Sequence, residues 1–166
     1  QKLNAVELEF KGKNVVCIGL GESGADVVHE IGQVANKCDV LVRDYPNVIP
    51  RWINGYTNDS FTAPLLYALK KKGIDTYMKL KAWYYLNYKK DMDAPGRLIQ
   101  EWVAERDSFM AKFFTKTDVF VNDVLEGNIN LNKDKTKYFT RTGIVTEKRG
   151  EIEADVIVYN TGYQTT

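Results

Sequence analysis

Three glycines, Gly19, Gly21 and Gly24, form a GxGxxG in the run Gly19-Leu20-Gly21-Glu22-Ser23-Gly24. This spacing suits a pyrophosphate. The first glycine makes a tight turn, the second keeps the backbone bare enough for close approach, and the third lets a helix pack against a strand. A helix that opens there also aims free N–H groups and a partial positive charge at the anion. Ser23 would add a hydroxyl or a cap, and Glu22 occupies the same stretch. About twenty residues further on, where a dinucleotide's ribose is usually read, Arg43 and Asp44 stand side by side at the end of an apolar run. An arginine at that position forms a charge-assisted fork on a ribose 2′-phosphate and stacks on adenine, whereas an acid binds the free 2′-hydroxyl and repels the phosphate. NADPH and NADH both stay open on these two residues, with Arg43 favouring NADPH. Lys37 and Arg51 are further cations available to a phosphate.

Such a turn works only between a buried strand and an amphipathic helix. Asn14-Val15-Val16-Cys17-Ile18 is a short, β-branched apolar run that stops at Gly19, as a buried parallel strand does. Over residues 25–35, Val27, Val28, Ile31, Val34 and Ala35 fall at helical spacings and define one apolar face. Asp39-Val40-Leu41-Val42-Arg43 reads as a second strand, closed by Pro46. Together they make a βαβ unit. From 51 to 114 the pattern changes to a helical insertion, with helical spacing over 63–72, 75–88 and 95–114 and with Trp83, Trp102, Phe109 and Phe113 as anchors. The last third returns to strands, over 138–148 and 151–159, joined by a tight turn at Arg149-Gly150. The expected fold class is α/β: a Rossmann-like dinucleotide-binding domain with a central parallel sheet, a β-meander and a helical insertion.

Composition fits one such domain: 166 residues, 44% apolar and 27% charged. With 23 Lys plus Arg against 22 Asp plus Glu, a net charge of +1 creates no overall field for nucleic acid or anionic lipid. Cys17 and Cys38 form no CxxC pair and read as buried thiols. His29 is the only histidine, so any catalytic triad or multi-histidine metal site would rest on one ring, and a structural role is the simpler reading. Lysines between Lys70 and Lys90 alternate with Trp83, Tyr84, Tyr85 and Tyr88, a texture shared with single-strand nucleic-acid surfaces. Aromatics at helical spacing are more often a core or an interface, so no nucleic-acid partner is expected. No apolar run approaches the ~18–20 residues of a membrane span. With no secretory-type leader, a cytoplasmic setting is expected.

The residues also resemble a known family. Phe10-Lys11-Gly12-Lys13, then Val15-Val16-Cys17-Ile18 with the glycine turn and Ala25-Asp26, then Arg43, Val121-Asn122-Asp123, and finally Asp155-Val156-Ile157-Val158-Tyr159-Asn160-Thr161-Gly162-Tyr163, together look like flavin-containing monooxygenases. The resemblance extends over nearly the whole chain. It implies an NADPH-binding domain, spanning 1–166, that is inserted into an FAD-binding domain absent from this chain. The implied chemistry is hydride transfer from NADPH to FAD, formation of a C4a-hydroperoxyflavin with O₂, and oxygen transfer to a small nitrogen or sulfur nucleophile. On this resemblance Gly19, Gly21, Ser23 and Gly24 would contact the pyrophosphate and Arg43 the 2′-phosphate. Thr161 and Gly162 would lie on the connection back to the flavin domain. No protein nucleophile is expected, because the cofactors carry the reaction, and no metal is implied. Asn160 stands where the family has alanine, and Asp44 follows the phosphate-reading Arg43. Only one GxGxxG is present, so a fragment unable to turn over substrate alone is expected. Baeyer–Villiger and N-hydroxylating monooxygenases share the same cofactors, and a degenerate Rossmann scaffold module is the reading of another class.

Overall fold

The computed structural model describes residues 5–53, 55–57, 71–89, 91–107 and 114–162. A short helix α1 (Ala5–Phe10) leads into β1 (Asn14–Ile18), α2 (Glu22–Gly32) and β2 (Lys37–Val42). Parallel strands β7 (Asn130–Lys133) and β11 (Val156–Tyr159) complete a sheet in the order β11-β1-β2-β7. Val15 lies beside Val156 on one side and Cys38 on the other, and Ile18 beside Tyr159 and Leu41. In chain order these four strands run outward from β1 to β2 to β7, and the chain then crosses back to place β11 on β1's other flank. The reversal creates a switch point between the carboxyl ends of β1 and β11, the crevice where open α/β sheets take ligands.

Side chains of alternate residues leave opposite faces of a strand, and the core divides accordingly. Val15, Cys17, Cys38, Val40 and Val42 pack with Ala25, Val28 and Ile31 of α2 and with Trp102, Phe120 and Ile129. Val16 and Leu41 face the other way, onto Ile144 and Ile152. Those two belong to an antiparallel meander of β8 (Thr136–Phe139), β9 (Gly143–Thr146) and β10 (Gly150–Glu153). Helices thus cover one face of the parallel sheet and the meander covers the other. Both cysteines are free and buried; the hydrogen bond with Cys17, followed by burial, pushes the Cys38 thiol well above its usual range. A thiol so placed is inert.

The insertion is anchored at its base by β3 (Asn47–Ile49) and β6 (Phe114–Lys116), which pair in parallel. It is not wholly helical: β4 (Trp52–Ile53) and β5 (Tyr56–Thr57) form a small antiparallel pair. Among its described residues are two helices, α3 (Lys71–Tyr88) and α4 (Ala94–Glu105). The expected helix over 63–72 lies outside the described residues except at its end, as do Phe109 and Phe113. The helix expected over 95–114 stops at Glu105. Its start is well signalled: Asp93 caps Gly96 N–H at 2.8 Å and Pro95 sits in the first turn.

Several other expectations need correction. Val27 is 41% exposed, and Val34 and Ala35 lie beyond the end of α2, folded back by backbone bonds to Ile31 O. The buried face of α2 keeps the expected Val28 and Ile31 and adds Gly24 and Ala25. Trp83 is no anchor at 55% exposure, whereas Trp102 is buried at 5% and stacks on Tyr45. Arg43 lies one residue past β2 rather than in it. The strand expected over 138–148 is two strands separated at residues 140–142, and that over 151–159 divides at Ala154-Asp155. The reason is the three-layer architecture: the chain must leave the meander to re-enter the parallel sheet, and Asp155 makes that join by accepting Asn14 N–H at 2.8 Å.

The meander is pinned by Asp134, which is 4% exposed. Burial pushes its carboxyl up, but the Thr146 hydroxyl and the N–H groups of Lys135, Lys148 and Arg149 outweigh this and hold it below the ordinary range. A depressed folded-state pKa contributes stability that is present above the unfolded-state value, near pH 4, and is lost as pH falls through the folded-state value. Asp134→Asn is expected to cost about 2 kcal/mol at pH 7, through N–H groups left unpaired. Urea denaturation at pH 7 and pH 3 checks this: the gap between wild type and variant should shrink at the lower pH.

Candidate functional site

The carboxyl ends of β1, β2 and β11 meet at the glycine turn. Gly19 N–H donates to Leu41 O at 2.8 Å, tying the turn to β2, and Asn160 N–H donates to Ile18 O at 2.8 Å, tying it to β11. Gly19 has φ +87°, and a Cβ there would stand 2.9 Å from the Asn160 carbonyl oxygen. Close approach also fixes Gly24, where a Cβ would meet the Asn160 side chain at 3.1 Å. A side chain at either position would press on the protein itself, on backbone at Gly19 and on a side chain at Gly24. Gly21 is different: a Cβ there would meet nothing within 4 Å. Space therefore opens above the second glycine of the motif, where a ligand's backbone approach is expected.

Helix α2 begins at this opening. Gly21 is its N-cap and supplies no side-chain bond, and the first intrahelical bond is Ala25 N–H to Gly21 O at 3.0 Å. The N–H groups of Glu22, Ser23 and Gly24 are the orphan donors of a helix start, and they lie at its positive end. Ser23 is exposed beside them. Acidic side chains near the start of this helix would oppose an anion, but the two there, Glu22 and Asp26, are paired. Glu22 lies 4.0 Å from Lys116 Nζ, and Asp26 accepts from Arg51 at 2.5 Å. Thus Arg51 steadies the helix rather than standing free, and the Glu22 carboxylate is turned to a lysine.

Register places Arg43 on the same edge: β2 runs parallel to β1 with Leu41 beside Ile18, so Arg43 follows just beyond the turn. It is exposed and makes no ion pair among the described residues. Asp44, by contrast, is buried, accepting from Tyr45 N–H at 3.0 Å and Asp107 N–H at 3.2 Å and facing Lys133 Nζ at 3.0 Å. Lys133 is desolvated, which alone would lower its pKa, but its bonds to Asp107 and Asp44 raise it, so the ammonium is secure. Arg106 completes this network beneath the loop, donating to Tyr45 O at 3.1 Å and to Pro46 O and Asn47 Oδ1. Burial lowers its pKa to about 10, against the opposing fields of Asp44 and Asp75.

Thr161 and Gly162 follow β11 and are exposed, with Gly162 at φ +80°. The structure thus brings Gly19, Gly21, Gly24, Glu22, Ser23, Arg43 and Thr161 to one edge of the sheet. Lys37 belongs to the other edge, where it pairs with Asp39 at 2.7 Å, and is no phosphate ligand candidate. His29 is structural: its Nδ1 lies 2.7 Å from Asp123 Oδ2, which joins α2 to α5 (Phe120–Glu126), and Gln33 donates to the same carboxylate at 3.0 Å. Three participants were not among the sequence-based site residues: Asn160, Lys133 and Arg106. Only Asn160 carried a sequence signal, as a polar residue directly after an apolar strand. Among the described residues no group of three or more His, Cys, Asp or Glu suits a metal, and no helix is long and apolar enough to cross a membrane.

Comparison with known proteins follows the same line. A family model described as flavin-binding monooxygenase-like matches residues 5–166. The chain is 28% identical over 162 residues to a 4-hydroxybenzoate brominase (decarboxylating) of Marinomonas mediterranea, covering 95% of this chain and 31% of that protein. It is 31% identical over 162 residues to flavin-containing monooxygenase 3 of Oryctolagus cuniculus, covering 93% of this chain and 28% of that protein. The chain therefore spans about three-tenths of the length of these relatives. Among solved structures, OTEMO in complex with FAD and NADP has a TM-score of 0.60 at 16% identity, covering 97% of this chain and 40% of that one. Oxidized steroid monooxygenase bound to NADP has a TM-score of 0.56 at 16% identity, covering 91% and 38%. At that identity the likeness is one of fold. The family model's span, nearly the full chain, together with a glycine turn at the sheet's switch point, establishes that this chain belongs to the flavin-binding monooxygenase-like family.

Proposed function

We propose that this chain is the NADPH-binding domain of a flavin-dependent monooxygenase that oxygenates small nitrogen or sulfur nucleophiles in the cytoplasm, partnered by an FAD-binding portion of the same enzyme. The observation that carries the reading is the combination at α2: three orphan N–H donors facing the space left bare by Gly21. When bound, NADPH supplies the hydride that reduces the flavin. The protein's part is to bind and orient. Backbone N–H groups of residues 22–24 hold the pyrophosphate, Ser23 offers a hydroxyl, and Arg43 takes the 2′-phosphate. Thr161 and Gly162 lead away from this edge toward the flavin portion.

Preference for NADPH over NADH is supported by the fate of Asp44. Its carboxylate is engaged by Lys133 and two backbone N–H groups, so it does not oppose a phosphate beside Arg43. Arg43→Ala is expected to weaken NADPH binding by about 10- to 100-fold, the worth of a charge-assisted fork, while changing NADH affinity less than about threefold. Calorimetric titration of both proteins with both nucleotides checks this. Equal losses for the two nucleotides would place the arginine elsewhere than on the 2′-phosphate.

A further inference from the structure

A side-chain amide lies buried under the glycine turn with nothing to bind. Asn160 Nδ2 is the one buried side-chain nitrogen or oxygen among the described residues that has no hydrogen-bond partner. Leaving such a donor unpaired in the interior is costly, and a buried orphan calls for a specific reason. Position supplies one. Asn160 follows β11 at the switch point, its backbone N–H bonded to Ile18 O. Its side chain reaches across to α2, with Nδ2 3.6 Å from where a Gly24 Cβ would stand, within the first helical turn whose own N–H groups are unpaired. An orphan amide and a set of orphan N–H groups thus converge at one place. All are donors, the kind of group an acceptor-rich ligand pairs with.

We propose that Asn160 is a dinucleotide-positioning residue whose amide donates to the pyrophosphate, through the oxygen that seats against the first turn of α2, either of the ligand itself or of a water the ligand holds. This rests on the dinucleotide-binding reading given above and adds to it a side-chain donor from the opposite wall of the crevice. The helix supplies backbone donors from one side, and β11 supplies Asn160 from the other. The pyrophosphate is held between strand and helix rather than by the helix alone.

The chemistry separates two kinds of ligand. NADPH and 2′-phospho-ADP-ribose carry a pyrophosphate, whereas adenosine 2′-monophosphate carries the 2′-phosphate and adenine with no phosphate on the 5′ side. Asn160→Ala should weaken the first two by about tenfold, the worth of one hydrogen bond to a charged oxygen, and leave the third within about twofold. Asn160→Asp, which replaces a donor with a carboxylate of the same shape, should weaken the pyrophosphate ligands further and again spare adenosine 2′-monophosphate by comparison. Thermal unfolding without ligand gives the structural readout. Because the orphan donor is removed, Asn160→Ala should be no less stable than wild type in the absence of nucleotide, yet gain less stability from saturating NADPH. Equal affinities of wild type and Asn160→Ala for NADPH would overturn the proposal while the dinucleotide reading stands. Parallel losses for all three ligands would also overturn it, by assigning Asn160 to the shape of the turn. Failure of the wild-type chain to bind any of the three would overturn the dinucleotide reading and this proposal with it.

Discussion

Gly21→Val is expected to abolish dinucleotide binding and leave the fold standing. Gly21 has φ −106° and ψ −171°, an extended conformation that valine adopts readily, and nothing lies within 4 Å of the added Cβ. The fold loses only a modest N-cap, about 1 kcal/mol, which lowers the melting temperature by ~2–4 °C in a domain of this size. The isopropyl group, however, fills the space above the first turn of α2 that a pyrophosphate must enter. Affinity for NADPH should fall more than about a hundredfold. Thermal denaturation and titration on the same sample separate the two effects. Binding within about threefold of wild type would mean that no phosphate passes over Gly21.

Gly19→Ala should do the reverse and damage the protein first. At φ +87° a side chain is strained wherever it points, and here it points at backbone: Asn160 O at 2.9 Å and Asn160 C at 3.2 Å. Neither can retreat without breaking the bond from Asn160 N–H to Ile18 O that joins β11 to β1. Left-handed strain and the clash together are worth about 3 kcal/mol, or roughly 6–12 °C in melting temperature. Nucleotide binding should be lost in parallel, because the turn that aims α2 is displaced. A melting temperature within about 2 °C of wild type would show that the strand ends are not packed as described. Within one motif, Gly19 answers to the fold and, on the proposed function, Gly21 answers to the ligand.

That contrast marks how far the sequence could be read. The strand at Val15, the glycine turn and the buried second strand were legible, since β-branched runs and glycine spacing act locally and agree with one another. Strand β7 was not. Asn130-Leu131-Asn132-Lys133 offers one apolar residue in four, and its place in the sheet comes from pairing with β2 and from Asn132 donating to Asp39 Oδ1 at 3.2 Å. Periodicity likewise pointed to Val27 and Trp83 as buried, but burial depends on what covers a face, and helical spacing does not say what that is. At the site, Arg43 and Asp44 were equal neighbours in the sequence. Their division of labour depends on Lys133, far along the chain, drawing Asp44 inward. Asn160 was visible as an unusual residue, yet only the packing of β11 against Gly24 shows where its side chain lies.

On the proposed function, this chain carries its own site for a phosphorylated nicotinamide dinucleotide at the β1–β11 switch point. Isothermal titration of the wild-type chain with NADPH at low ionic strength tests it most directly. One-site, saturable binding is expected, weakened by Arg43→Ala and eliminated by Gly21→Val. Absence of saturable binding up to about 1 mM NADPH, equivalent to less than ~4 kcal/mol of binding free energy, in a chain that melts cooperatively would contradict the account.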